Sequence, residues 1–290
     1  MLHEEYQYLD LVKKIIDHGF CEKGRNGNTV SLFGASMRFS LSDGKIPILT
    51  TKKTAWKTCL KELLWFIRGS TDNRLLQEQG VHIWDGNSSA EFLESRGLSY
   101  PEGELGPIYG YQWRNFNGDY TGGPVGPGIE GVDQLQTIID QLKNVETRTS
   151  RRLIMTAWNP CQLDQMALPP CHILCQFNVH DNDKLSCSMY QRSGDIGLGV
   201  PFNIASYSFL THLIAKHCGL VPYEFVYFLG NAHIYDDHLE QMKVQINRKP
   251  YLFPTVEILK TCENIDDYQV SDFVIHNYQS GEKISMNMRA

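Results

Sequence analysis

This chain of 290 residues has no CxxC pair, internal repeat or low-complexity tract, and no Pro/Gly/Ser-rich linker that divides it cleanly in two. Eight cysteines without CxxC spacing, and without a secretory leader, argue against both a structural zinc and a disulfide framework. The pairs His212/His217 and His233/His238 are each five apart, which on a helix puts the members on different faces and fits no zincin spacing, so no metal centre is expected. Basic charge is also scarce. With 27 Lys+Arg against 33 Asp+Glu the net charge is -6, which speaks against a general nucleic-acid binder and gives RNA binding no support, while a small anion held by a local arginine cluster stays compatible. Leu9, Val12, Ile15, Ile16 and Phe20 form a helical stripe, so the N-terminus reads as an amphipathic surface helix and not as a signal or membrane segment.

What is present suits a reduced, intracellular enzyme built as one domain over residues 1–290. A hydrophobic content of 42% and an aromatic content of 11% allow one substantial core. Gly27 and Asn28 read as a loop before a strand at Thr29 to Leu32. A buried helix is expected from about Ala55 to Arg68, closed by Gly69. The Gly/Pro-rich stretch from Asn117 to Gly131 reads as a surface loop, and Val132, Leu135, Ile138, Ile139 and Leu142 mark the next helix. Strands at Leu153 to Trp158 and Glu224 to Leu229, a hairpin, and a long apolar helix from Ile204 to Cys218 complete an α+β pattern: a mixed β-sheet flanked by helices.

The densest chemistry lies between Leu168 and Tyr207. Pro169-Pro170-Cys171-His172 is followed by Gln191-Arg192-Ser193-Gly194-Asp195 and then by Pro201-Phe202-Asn203-Ile204-Ala205. Ile173 to Val179 and Leu185 to Tyr190 are β-favouring runs separated by Asp181-Asn182-Asp183, the pattern of a tight hairpin. A turn near Asn182 sets Cys171 opposite Arg192. Cross-strand neighbours stand about 5 Å apart, close enough for a guanidinium to favour the thiolate and lower a thiol pKa that starts near about 8.5. Most free cysteines are small core hydrophobes, and Cys59, Cys175, Cys187 and Cys218 read that way, with Cys21, Cys161 and Cys262 undecided. Cys171 differs in its rigid prolines, its histidine and its facing Arg-Ser pair.

Glu62 sits among Leu60, Leu63, Leu64, Trp65 and Phe66 on the expected buried helix. Desolvation there raises a carboxyl toward values useful for general acid/base work; a buried ion pair with an arginine is the equally weighted alternative. Arg25, Arg151-Arg152 and Arg192-Ser193 each place arginine at a polar turn, and planar, always-charged forks suit a phosphate dianion.

These segments closely resemble the thymidylate synthase family over nearly the whole chain. The matching blocks are Thr50-Thr51-Lys52-Lys53, Glu62 to Phe66, Ile83-Trp84-Asp85, Gly106 to Gly110, Ser150-Arg151-Arg152, Ala157-Trp158-Asn159, Ala167 to His172, Gln191 to Tyr207 and His233-Ile234-Tyr235. The resemblance implies a thymidylate synthase-like fold and an obligate homodimer that converts dUMP and 5,10-methylenetetrahydrofolate to dTMP and dihydrofolate, without a metal. By the same resemblance Cys171 attacks uracil C6, Asn203 reads N3 and O4, Glu62 acts through water as acid/base, Tyr109 assists loss of the C5 proton, and His172 and Asp195 organise the site. Arg25, Arg192 and Ser193 would hold the phosphate, with Arg151 and Arg152 reaching in from a partner subunit. His233 and Tyr235 would meet the sugar, and Gln191 and Gly194 line the same pocket. The folate would lie against Ile83, Trp84, Asn87, Leu198, Gly199 and Phe202, meet Asp195 with its pterin, and be closed over by the tail ending at Ala290. Such a role implies the cytoplasm, with a nuclear fraction if the source is eukaryotic.

Three departures stand out. Asn231 replaces an aspartate, Asp236-Asp237 replaces a neutral-Asn pair before His238, and Arg25-Asn26-Gly27-Asn28 replaces Arg-Thr-Gly-Thr. The alternative on the same fold is a pyrimidine-nucleotide hydroxymethylase, in which water and not hydride quenches the exocyclic methylene. The amide of Asn203 favours uracil over cytosine, and bulky Trp84 favours hydride by excluding water. A non-catalytic RNA-binding or scaffold protein on this fold is the reading from another class, and the acidic balance opposes it.

Overall fold

A computed structural model describes residues 2–24, 26–122 and 131–289. Arg25 and Ala290 lie outside the described residues, as does most of the stretch read as a Gly/Pro-rich loop. The helices are α1 (Tyr6–His18), α2 (Trp56–Ile67), α3 (Arg74–Gln77), α4 (Asp85–Ser88), α5 (Ala90–Ser95), α6 (Tyr109–Asn115), α7 (Gln134–Lys143), α8 (Gly199–Cys218) and α9 (Leu239–Ile246). The strands are β1 (Phe20–Gly24), β2 (Gly27–Ser40), β3 (Ile154–Thr156), β4 (His172–His180), β5 (Lys184–Asp195), β6 (Val221–Tyr235), β7 (Thr255–Ile258) and β8 (Phe273–His276).

α1 buries Leu9, Val12 and Ile15 and stops at Gly19, where a Cβ would stand 2.5 Å from the Ile15 carbonyl oxygen. Phe20 is therefore not on the helical stripe: it begins β1 and is 73% exposed. The loop expected at Gly27 and Asn28 is also corrected. Both residues belong to β2 and pair with Gly24 and Lys23, because a β-hairpin gives this polar segment backbone partners that local propensity does not reveal. Val132 likewise precedes its helix, exposed and bridged to Phe116, while Asp133 caps α7 by accepting the Gln136 amide at 2.8 Å. Of the two histidine pairs only His212/His217 shares a helix, since His233 is on β6.

The main sheet runs β1-β2-β6-β5-β4-β3, and β7 and β8 form a small second sheet. Its pairs are antiparallel except β5 with β6. A parallel pair requires a crossover, and α8 supplies it, buried nearly all round between the sheet and α2. This α+β arrangement brings the carboxyl ends of β5 and β6 to the same edge as the start of β4. The inner sheet face carries Met155, Cys175, Met189, Tyr227 and Met37, all buried, against the helices.

Candidate functional site

Cys171 sits where β4 begins. Strand pairing from His180↔Lys184 to Leu174↔Tyr190 would carry on to Ser193 opposite Cys171, but an irregularity between His172 and Leu174 shifts the register by one. Arg192 consequently donates its backbone N–H to the Cys171 carbonyl at 2.9 Å. Its side chain donates from Nε to the Pro170 carbonyl at 2.8 Å and from Nη2 to the Pro169 carbonyl at 3.0 Å, which leaves Nη2 4.0 Å from Cys171 Sγ. Trp158 backs the guanidinium from 5.5 Å. The expected juxtaposition of thiol and guanidinium is present, and the two prolines hold it through their carbonyls.

On the other side, the Cys171 N–H donates to the Tyr109 hydroxyl at 2.7 Å. Tyr109 opens α6 with φ 21°, a backbone conformation few non-glycine residues adopt. Its ring stacks on His172 at 4.1 Å and meets Trp84 edge-on at 6.0 Å. Gly110 allows this approach, because a Cβ there would lie 2.3 Å from the Phe66 carbonyl oxygen of α2. His172 Nδ1 pairs with the Tyr207 hydroxyl at 2.8 Å, and burial lowers the imidazole to about 3, so it stays neutral through the physiological range.

Glu62 is 6% exposed, and no arginine meets its carboxylate among the described residues. Trp84 Nε1 donates to its Oε1 at 2.7 Å. Burial raises the carboxyl to about 7, with the indole bond opposing the rise. Of the two readings of Glu62, the acid/base one fits this environment and the ion pair does not. Tyr109 reaches Glu62 through Trp84, whose ring it meets and whose indole N–H the carboxylate accepts; burial, with the charges of Cys171 and Glu62 adding to it, raises the Tyr109 hydroxyl well above its ordinary value.

The parallel register sets Ser193 beside Asn231, Gly194 beside Ala232 and Asp195 beside His233. A Cβ at Gly194 would meet Leu229 Cδ2 at 2.6 Å and Val200 Cγ2 at 2.9 Å, so a larger residue there would have to displace both side chains. Gln191 accepts the Tyr227 hydroxyl at 2.5 Å and donates to the Ser193 carbonyl at 2.9 Å. Asn231 Oδ1 meets His233 Nδ1 at 3.0 Å, and the Tyr235 ring stands 5.3 Å from that imidazole. Asn203 is buried in the first turns of α8, with half-buried Leu198, Gly199 and Phe202 around the helix start. Asn87, buried on α4 with its backbone N–H on the Trp84 carbonyl, has a side-chain amide nitrogen without a partner among the described residues, and Ile83, just before Trp84 in sequence, is half-buried.

Arg151 and Arg152 are not part of this cluster. Both are exposed before β3, and the Arg151 carbonyl accepts Gln176 Nε2 at 3.0 Å. Lys52 was not singled out by sequence reasoning, although it lies near Asp195 and donates from Nζ to the Gly197 carbonyl. Burial lowers its ammonium to about 8, with Asp195 opposing. Its sequence signal was only a lysine in a Thr-Thr-Lys-Lys run. Asp195 itself accepts the Gly197 N–H at 2.8 Å. No group of three or more potential metal ligands occurs among the described residues, and no helix there is long and apolar enough to cross a membrane.

A thiol beside a guanidinium, joined through Tyr109 and Trp84 to a buried carboxyl that titrates near neutrality, is an arrangement able to support nucleophilic and acid/base chemistry. Comparison with known proteins agrees in kind. The family model described as thymidylate synthase matches residues 6–290. Over 99% of its length the chain is 53% identical to the bifunctional dihydrofolate reductase-thymidylate synthase of Plasmodium chabaudi, covering 49% of that protein. It is 50% identical to the proteins of the same name from Leishmania major and Zea mays, again over 99% of its length, covering 55% and 54% of them. The chain thus spans about half the length of the curated relatives it matches.

Proposed function

Because this chain belongs to the thymidylate synthase family, we propose that it catalyses reductive methylation of dUMP to dTMP, with 5,10-methylenetetrahydrofolate consumed to dihydrofolate. The observation that carries the reading is the Cys171 thiol flanked by Arg192, with the Cys171 N–H on the Tyr109 hydroxyl and Trp84 joining the Tyr109 ring to the raised carboxyl of Glu62.

The Cys171 thiolate adds to uracil C6, and the displaced π electrons pass to C5 and O4. Asn203 donates to O4 and accepts from N3–H, stabilising that charge. Glu62, titrating near neutrality, moves protons at O4 through water. The folate supplies a one-carbon unit to C5 and then hydride. Tyr109 assists departure of the C5 proton before the sulfur–C6 bond breaks. His172, neutral and fixed by Tyr207, keeps the Tyr109 ring in place. Residues of this chain suit the folate: the unpartnered Asn87 amide and the indole of Trp84 offer a donor and an apolar wall, and Trp84 keeps water from the reacting carbon.

Ser193 and the Nη1 end of Arg192 would bind the dUMP phosphate with Arg25, and His233 and Tyr235 the sugar. Arg151 and Arg152 would complete the phosphate site of a second copy. Supporting a homodimer, Ile154, Gln176, Ser188, Tyr190 and Phe228 on the outer sheet face are exposed or half-buried. A concavity of about 700 Å³ reaches that face beside Tyr190 and Phe228. Gln176 ties the arginine-bearing turn to it. We place the protein in the cytoplasm, in keeping with eight free thiols.

The test is incubation of purified protein with dUMP and methylenetetrahydrofolate, following dihydrofolate absorbance and the mass of the nucleotide product. Dihydrofolate with dTMP supports the synthase. A hydroxymethyl nucleotide with tetrahydrofolate would overturn it in favour of hydroxymethylation.

A further inference from the structure

The Asp236-Asp237 departure and the C-terminal tail meet in space. Arg289 Nη2 lies 2.9 Å from Asp237 Oδ2 and 3.8 Å from Asp236 Oδ1, and the guanidinium carbon is 6.0 Å from the centroid of the Tyr235 ring. Asn28 donates to Asp236 Oδ2 at 3.2 Å and orients that carboxylate. Two further contacts belong to the same tail. His238 Nε2 donates to the Asn287 carbonyl at 2.8 Å, and Met286 is seated so close to Gly197 that a Cβ there would be 3.0 Å from its sulfur. Gly197 is the residue whose N–H binds Asp195 and whose carbonyl binds Lys52.

We propose that Asp236, Asp237 and Arg289 form an electrostatic latch that holds the tail over the ligand pocket before the co-substrate arrives. The three are positioning residues, and their role rests on the folate-dependent reading above. Ordering a free tail costs conformational entropy at each residue. A tail already latched has met that cost before binding, so the co-substrate encounters a lid with less freedom left to lose. Desolvation pulls the Asp237 carboxyl upward, but the Arg289 hydrogen bond and nearby His238 outweigh it and leave the group below its ordinary value. The latch is solvent-facing, so each contact is modest and screened by salt. Because its aromatic platform, Tyr235, is also a proposed sugar contact, closure is tied to the nucleotide end of the pocket.

The test uses Asp237→Asn, Arg289→Ala and the exchanged pair Asp237→Arg/Arg289→Asp. The first readout needs no substrate: peroxide oxidation of Met286 in the unliganded protein, mapped by peptide mass, with Met288 (57% exposed) as internal reference. The second is KM for methylenetetrahydrofolate against KM for dUMP and kcat. The single variants should raise Met286 oxidation relative to Met288 and raise the co-substrate KM by about two- to fivefold, with kcat changed less. The exchanged pair should restore both, and about 0.5 M salt should reproduce the loss in the wild type. Unchanged Met286 oxidation in the single variants overturns the latch. So does increased oxidation without a KM effect, which would make the contact a surface pairing with no role in positioning. A wild type that makes no dTMP would sink the functional reading instead, while the oxidation experiment still decides whether the latch exists.

Discussion

Glu62→Gln isolates a buried charge without altering shape. Glutamine keeps an oxygen to accept the Trp84 indole hydrogen bond, now 2.7 Å long, and removes the titration. The folded carboxyl titrates at about 7 against an ordinary 4.5. The folded protein therefore binds this proton more tightly than the unfolded chain does. Below pH 4.5 both states carry it and there is no penalty; as pH rises toward 7 the unfolded carboxyl ionises freely and the folded one resists, so stability is lost through that window and levels off above it. The difference of roughly 2.5 pKa units corresponds to about 3 kcal/mol. Urea unfolding of both proteins from pH 4.5 to 8.5 should show the variant gaining about 3 kcal/mol on the wild type across the range, while its turnover collapses. Parallel stability curves would refute the argument, because a carboxyl that ionises normally in the folded state cannot be the neutral-range acid.

Cys171→Ser should lower dTMP formation by more than about a thousandfold, since a serine hydroxyl is hardly ionised near neutrality; near-normal turnover would end the covalent mechanism. Asn203→Asp should move dUMP-to-dCMP selectivity by about ten- to a hundredfold toward cytosine, and competition kinetics that leave the ratio unchanged would remove the amide from its reading role. Gly110→Ala drives a methyl into the Phe66 backbone at 2.3 Å. It should cost about 1–3 kcal/mol in urea unfolding and reduce kcat as Tyr109 shifts; a neutral effect on both would show that α6 can slide without disturbing the site.

Much of this site was legible because its central part is local. The apolar alternation and Asp-Asn-Asp turn of the β4–β5 hairpin bring Cys171 to Arg192 through short-range rules, and the buried setting of Glu62 follows from its neighbours on one helix. Even there the strand irregularity was invisible, and a strictly regular ladder would have set Ser193 opposite the thiol. The indole partner of Glu62 could not be read, since Trp84 reaches it from beyond the end of α2 and across the short helix α3. Lys52 contacts Gly197, and Glu5 accepts the amides and hydroxyls of Thr50 and Thr51, through tertiary placement that no periodicity encodes. The Gly27-Asn28 pair misled for the opposite reason: turn-forming residues open a strand when a neighbouring strand, here β1, satisfies their backbone.

The parallel pairing of β5 with β6 has a consequence for the order in which a growing chain acquires its chemistry. The hairpin that joins the thiol to its guanidinium is complete at Asp195, whereas His233 and Tyr235 arrive only after α8 has been made and has returned the chain to the sheet. Ser31 must then wait for His233, a partner near the other end of the chain. On the proposed reading of Cys171 as the nucleophile, a nascent molecule would display that sulfur before it owns the half of the pocket proposed to select what the sulfur attacks, and the packing of α8 against the sheet would close that interval.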